Sequence, residues 1–166
     1  TVEQTQQACI FAYHVQNPEK YGVAEMGIEG KPVSLEEKPR HPKSRWAVTG
    51  LYMYPKDASK LTKGIRPSSR GELEITSLNN LYLESERLNC SALGRGYAWL
   101  DTGTAESLLE AGQFIEIIER RQGFKIACLE EIAWRKNWIS QETFELAITE
   151  QQKNSYGRYL SSLLHS

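Results

Sequence analysis

The 166-residue chain has no excess of either charge: 20 Lys and Arg stand against 21 Asp and Glu, a formal net charge of −1. That balance argues against a nucleic-acid partner, whose phosphates are gripped by a basic field. Long apolar runs are missing too. Nothing approaches the roughly 20 consecutive apolar residues of a membrane-spanning helix, so no membrane partner is expected. The first residues carry no secretory leader pattern. Cysteine is scarce. Cys9, Cys90 and Cys128 are odd in number, far apart and in no CxxC pattern, and so read as reduced thiols of a cytoplasmic protein. His14, His41 and His165 are equally scattered, which argues against zinc. Internal repeats, low-complexity tracts and linkers are absent, and no Gly-x-Gly loop opens a helix to cradle a phosphate.

What remains is ordinary globular composition, 40% hydrophobic and 25% charged, in a chain long enough to bury a core. Ala8 to Val15 is apolar and aromatic and predicts a buried strand, stopped by Asn17-Pro18. Tyr21 to Glu25 predicts a second strand, Gly27 to Gly30 a turn, and the alternation of Val33 to Lys38 a third strand that Pro39 ends. Trp46 to Tyr54 is the strongest strand signal, closed by Pro55. Asp57 is placed to cap a short helix through Leu61. A helix is expected from Glu72 to Leu83, followed by strands at Leu88 to Leu93 and Tyr97 to Leu100.

A long helix is expected from about Thr104 to Arg121, with a stripe of Leu108, Ala111, Ile115 and Ile118 and a stop at Gly123. From Ile126 the texture turns helical: Glu130 to Lys136, Gln141 to Glu150 with Ser140 as N-cap, and Tyr156 to Leu164. The expected class is therefore α/β with a helical C-terminal region. An α/β sheet normally opens with a strand, a glycine-rich turn and a helix. This chain opens mid-sheet, which reads as the second half of a larger fold.

Four places could carry chemistry or meet a ligand. In Gly94 to Thr104, Asp101 closes an aromatic stretch just before a helix start. A carboxylate there serves as a metal ligand or as a plain helix cap, and the residues leave both open. Ser34-Leu35-Glu36-Glu37-Lys38-Pro39 ends a strand with acids that can accept sugar hydroxyls and a lysine that can meet phosphate, or simply forms a charged edge. Arg70 precedes a helix and is suited either to an anion or to a weak surface pair with Glu74. Gly50, within Trp46 to Tyr52, leaves room for a ligand or a second backbone, in what is otherwise a core strand.

Several blocks occur together and in order: Tyr21-Gly22-Val23, Ser34 to Pro39, Pro42-Lys43-Ser44, Ala47 to Tyr52, Arg70 to Thr76, Gly94 to Thr104, Glu119 to Gly123, and Glu130 to Ala133. In these blocks, spread from about Ala8 to Leu164, the chain resembles the bacterial glucose-1-phosphate thymidylyltransferases. The resemblance implies an α/β fold with a partial Rossmann-like mixed sheet of a nucleotidyltransferase. Residues 1–125 would bind sugar phosphate and the helical residues 126–166 would serve assembly. It implies a reaction in which glucose 1-phosphate attacks the α-phosphorus of dTTP and pyrophosphate leaves, with Mg²⁺ neutralising charge. It also implies a cytoplasmic homotetramer in dTDP-L-rhamnose and lipopolysaccharide biosynthesis.

Carried over residue by residue, Tyr21 and Gly22 line the sugar pocket, Glu37 accepts sugar hydroxyls, and Lys38 contacts phosphate. Val48 and Tyr52 flank the sugar, Arg70 grips the sugar phosphate, Trp99 walls the pocket, and Asp101 is a magnesium ligand. Lys38 and Arg70 count as the catalytic pair. The family also has an opening glycine-rich loop with an arginine, then a lysine and a second metal-binding aspartate, none of which occurs here. The expectation is a chain inactive by itself; the alternative is a non-catalytic sugar-phosphate-binding or oligomerisation module. Smaller departures are Arg45-Trp46 for the usual Asn-Tyr, and Ser77 where an aspartate is usual.

Overall fold

Alternation builds the first half of the molecule. In β1 (Ala8–His14), Ala8, Ile10 and Ala12 are buried and the residues between them are half-buried, as the two faces of a pleated strand require. A computed structural model describes residues 2–28 and 30–164; Glu29, in the expected Gly27–Gly30 turn, and His165 lie outside them. After the short helix α1 (Val2–Thr5), β1 is joined by β2 (Gly22–Met26), β3 (Pro32–Glu37), β4 (Trp46–Met53) and β5 (Leu88–Ala92). The order is β3-β2-β4-β1-β5. All pairs are antiparallel except β1 with β5, so the sheet is mixed, as expected.

The β1–β4 ladder holds a bulge. Ile10 pairs with Tyr52 and Ala12 with Val48, so Phe11 faces a stretch containing Thr49, Gly50 and Leu51. Gly50 lies in that irregularity, where extra residues bend a strand, and a Cβ there would meet nothing within 4 Å.

One face of the sheet is covered by α3 (Ile75–Glu84). Ala8, Ile10, Ala24, Leu35 and Val48 from the strands pack with Leu78 and Tyr82 from this helix and with Leu88. Each large aliphatic side chain so buried contributes about 1.5–3 kcal/mol. The helix begins later than Glu72, the expected start. Gly71 has a φ of +80°, and the hydroxyl of Ser68 donates to Glu74 and accepts from the Arg70 amide. Those local bonds hold residues 68–74 in a loop.

Two further expectations are corrected. Asp57 precedes α2 (Ala58–Leu61) but makes no capping bond. Its carboxylate accepts from the Tyr82 hydroxyl and from Arg87, each at 2.9 Å, and the Arg87 cation makes that second bond a charge-assisted ion pair. That pairing holds the Asp57 carboxyl below the usual range, first through the Arg87 hydrogen bond and then through Tyr82. Tyr97 to Leu100 is not a strand. A strand needs a ladder partner, and among the described residues this segment joins no ladder of the sheet.

The described residues form two compact units, one ending at Trp99 and one beginning at Leu100. The second holds α4 (Ala105–Gln122), α5 (Leu129–Arg135), α6 (Gln141–Gln151) and α7 (Ser155–Leu163). Its core is Cys128, Phe144, Leu160 and Leu163, with Trp134 stacked on Phe144 at 4.6 Å between ring centres. Ser140 caps α6 as expected, and Asn154 caps α7. Gly157 is obligatory because a Cβ there would lie 2.1 Å from the Gln151 carbonyl oxygen.

The long helix α4 starts at a Thr104–Ser107 capping box and stops at left-handed Gly123. Its expected stripe is not a buried face: Ala111 is buried, but Leu108 is 59% exposed. Periodicity marks which face is apolar; it does not supply a partner for that face.

Candidate functional site

All but one of the expected site residues lie in the sheet unit. The β2–β3 register sets Gly22 opposite Glu37, and the Lys38 amide donates to the Tyr21 carbonyl at 3.0 Å. The start of β2 and the end of β3 are thus tied together. Gly22 is needed for space. A Cβ on it would stand 3.2 Å from both Glu37 Oε2 and Thr76 Oγ1, and 3.8 Å from Val48 Cβ. Into that space Thr76, buried in the first turn of α3, donates its hydroxyl to Glu37 Oε2 at 2.5 Å. One carboxylate oxygen is thereby fixed. The other, Oε1, lies 3.9 Å from Arg70 Nη1.

Arg70 stands among three acids. Besides Glu37, its Nη2 is 2.9 Å from Glu72 and its Nη1 is 3.7 Å from Glu74. The expected alternatives for Arg70, an anion site and a Glu74 pair, therefore share one guanidinium. The Glu72 side chain is 61% exposed, and exposed pairs contribute about 0–1 kcal/mol. A doubly charged phosphate can displace such a partner.

Tyr52 is half-buried beside these groups. Burial, and secondarily the Glu37 charge, push its phenol above the ordinary value. It therefore remains a protonated hydroxyl at neutral pH. Trp99 meets Tyr21 edge to face, 4.9 Å between ring centres. Lys38 itself is exposed and has a φ of +43°. A non-glycine residue held in that region costs on the order of 1–3 kcal/mol, and such strain gathers at functional positions. Buried Pro39 follows it.

The structure therefore brings Tyr21, Gly22, Glu37, Lys38, Val48, Tyr52, Arg70 and Trp99 into one linked patch. Sequence reading gave no role to Thr76 or Glu72, and offered Glu74 only as a surface partner of Arg70. All three lie inside the Arg70–Thr76 block, which was the available signal. Tyr13, which touches Trp99, had no signal beyond its place in a strand.

Asp101 belongs to the helical unit. It is exposed, and its carboxylate lies 3.3 Å from where a Gly103 Cβ would sit. Among the described residues no group of three His, Cys, Asp or Glu side chains could hold a metal ion. Magnesium is commonly held by one or two carboxylates, with phosphates and waters completing the octahedron. Asp101 fits as one such ligand and does not form a cage.

Chemically, the patch offers an oriented carboxylate for hydroxyl groups, two cations for a phosphate, and aromatic walls. Such groups suit hydrogen bonding to hydroxyls and charge pairing with an anion.

Comparison with known proteins shows one enzyme family. A family model described as nucleotidyl transferase matches residues 1–117. The glucose-1-phosphate thymidylyltransferase of Neisseria meningitidis is 53% identical over 161 residues, which are 97% of this chain and 56% of that protein. That of Mycobacterium tuberculosis is 51% identical over 155 residues, 93% of this chain and 54% of its own length. The chain thus spans about half the length of these relatives. Among solved structures, a Bacillus anthracis protein assigned as a glucose-1-phosphate thymidylyltransferase, with bound sucrose, aligns at a TM-score of 0.59 and 40% identity over 67% of this chain and 44% of its own. A UDP-glucose pyrophosphorylase with UDP-glucose aligns at 0.60 over 68% of this chain and 45% of its own, at 21% identity. That second likeness concerns the fold alone.

Proposed function

The chain belongs to the nucleotidyl transferase family, and we propose that it is the sugar-phosphate-binding part of a glucose-1-phosphate thymidylyltransferase. One observation carries the reading: Glu37, held by Thr76 at 2.5 Å, faces Arg70 at 3.9 Å, which sets a hydroxyl acceptor beside a phosphate cation. Glu37 binds sugar hydroxyls. Tyr21, Gly22, Val48, Tyr52 and Trp99 surround the ring, and Lys38 with Arg70 holds the phosphate. In the whole reaction a phosphate oxygen of glucose 1-phosphate attacks the α-phosphorus of dTTP and pyrophosphate leaves. Here the work of this chain is to fix the attacking phosphate in position and to offset its charge, which is how phosphoryl-transfer enzymes gain most of their rate. Mg²⁺, with Asp101 as one ligand, would neutralise charge on the phosphates.

Residues 1–125 would serve substrate and residues 126–166 assembly, in a cytoplasmic homotetramer of dTDP-L-rhamnose and lipopolysaccharide biosynthesis. The exposed apolar residues Leu108, Leu109 and Ile117 of α4 favour a second reading, an assembly module without turnover. Pyrophosphate release from dTTP, glucose 1-phosphate and Mg²⁺ separates the possibilities. The expected result is no release by the chain alone, together with saturable glucose 1-phosphate binding. A folded chain that self-associates and binds no sugar phosphate would leave only the assembly reading.

A further inference from the structure

Trp99 sits on a segment with no ladder to hold it. Residues 93–103 contain no helix or strand, and Gly94 and Gly96 loosen the backbone further. An indole on such a segment forms a fixed wall only if something anchors it. At the near end, the Leu93 amide donates to the Ala12 carbonyl at 2.8 Å, and a turn closes from the Tyr97 amide to the Gly94 carbonyl at 3.1 Å. Neither bond reaches Trp99. The next residue of β1 supplies the missing tie. The Tyr13 hydroxyl donates to the Tyr97 carbonyl at 3.0 Å, and the Tyr13 ring lies 6.1 Å from the Trp99 indole at an interplanar angle of 54°. Tyr13 is itself paired in the sheet opposite Ala47 of β4, so the tie starts from a strand flanked on both sides. The indole also meets Tyr21, the neighbour of Gly22, edge to face.

We propose that Tyr13 is a positioning residue for the sugar-phosphate site: through its hydroxyl bond to Tyr97 and its ring contact it fixes the Trp99 indole against Tyr21. The sugar arm of this proposal rests on the function proposed above; the positioning arm does not.

Both arms are tested in the full chain. Labelling with 5-fluorotryptophan gives a fluorine resonance for each tryptophan, and Trp99→Phe identifies that of residue 99. Tyr13→Phe keeps the ring and removes the hydroxyl. It should broaden or split the Trp99 resonance, leave those of Trp46, Trp134 and Trp138 in place, and leave the melting midpoint unchanged. Glucose 1-phosphate affinity, read by calorimetry, should fall about threefold to tenfold, the range of one hydrogen bond. In a Trp99→Ala background the same substitution should change affinity by less than about 1.5-fold, because a residue acting through Trp99 has nothing left to act on. A Trp99 resonance unmoved by Tyr13→Phe overturns the proposal. So does an affinity loss of equal size with and without Trp99. If the resonance responds but the unsubstituted chain binds no glucose 1-phosphate, the positioning of Trp99 stands and the sugar-phosphate reading falls.

Discussion

In the sheet unit, side chains from separate segments converge. In the helical unit, the residue expected to do chemistry, Asp101, stands exposed. The difference is one of construction. A ladder fixes neighbours that are distant in sequence: Gly22 opposite Glu37, and Tyr52 opposite Ile10. A helix closes its bonds within itself and fixes only its own faces. Thus α4 is well formed and capped at both ends, yet most of its apolar side chains are exposed. Stability in the helical unit rests on a small apolar cluster around Phe144, whereas in the sheet unit it is joined to the arrangement of a polar site.

The largest effect separating the two regions should come from Phe144→Ala. The side chain is fully buried and stacked on Trp134, and its loss should cost about 3–5 kcal/mol in urea unfolding. A cost below about 1 kcal/mol would mean that the helical unit does not depend on that cluster. Next is Gly22→Ala, where the added methyl would crowd Glu37 and Thr76, each 3.2 Å from it. Overpacking of this kind costs about 1–3 kcal/mol, and glucose 1-phosphate affinity should fall at least about tenfold. Unchanged affinity would break the link between register and site.

A smaller effect is set by pH. The Asp57 carboxyl is held low by Arg87 first and Tyr82 second. A carboxylate with a lowered folded pKa adds stability that is fully present above its unfolded value and is lost as pH falls through the folded one. The window therefore opens below about pH 4. Asp57→Asn should reduce the slope of stability against pH there, measured by urea unfolding between neutral and acid pH. An identical slope would remove the assignment. Smallest of all is Asp101→Asn. Exposed and without a described partner, it should shift stability by less than about 0.5 kcal/mol and leave sugar-phosphate affinity unchanged in the absence of nucleotide.

Much of this was legible in the sequence, because strands and helices announce themselves by period and punctuation. Ser140, Thr104 and Gly123 mark helix ends by local chemistry. Errors arose where a distant partner outbid a local one. Asp57 has the chemistry of a cap, yet Arg87 and Tyr82 claim its carboxylate. Tyr97 to Leu100 has the composition of a strand, yet among the described residues no strand pairs with it. The site residues were reached through ordered blocks rather than through spacing, since no spacing rule brings Glu37 to Thr76. Thr76 and Tyr13 act on other side chains across the fold, and such roles become visible only when register and distances are known.

The most direct test of the account is a calorimetric titration of glucose 1-phosphate into this chain and into Arg70→Ala. The account predicts saturable binding by the chain, weakened at least about tenfold in the variant as expected for a charged hydrogen-bonding partner, with both proteins melting alike. A folded chain that does not bind, or a variant that binds equally well, would contradict it.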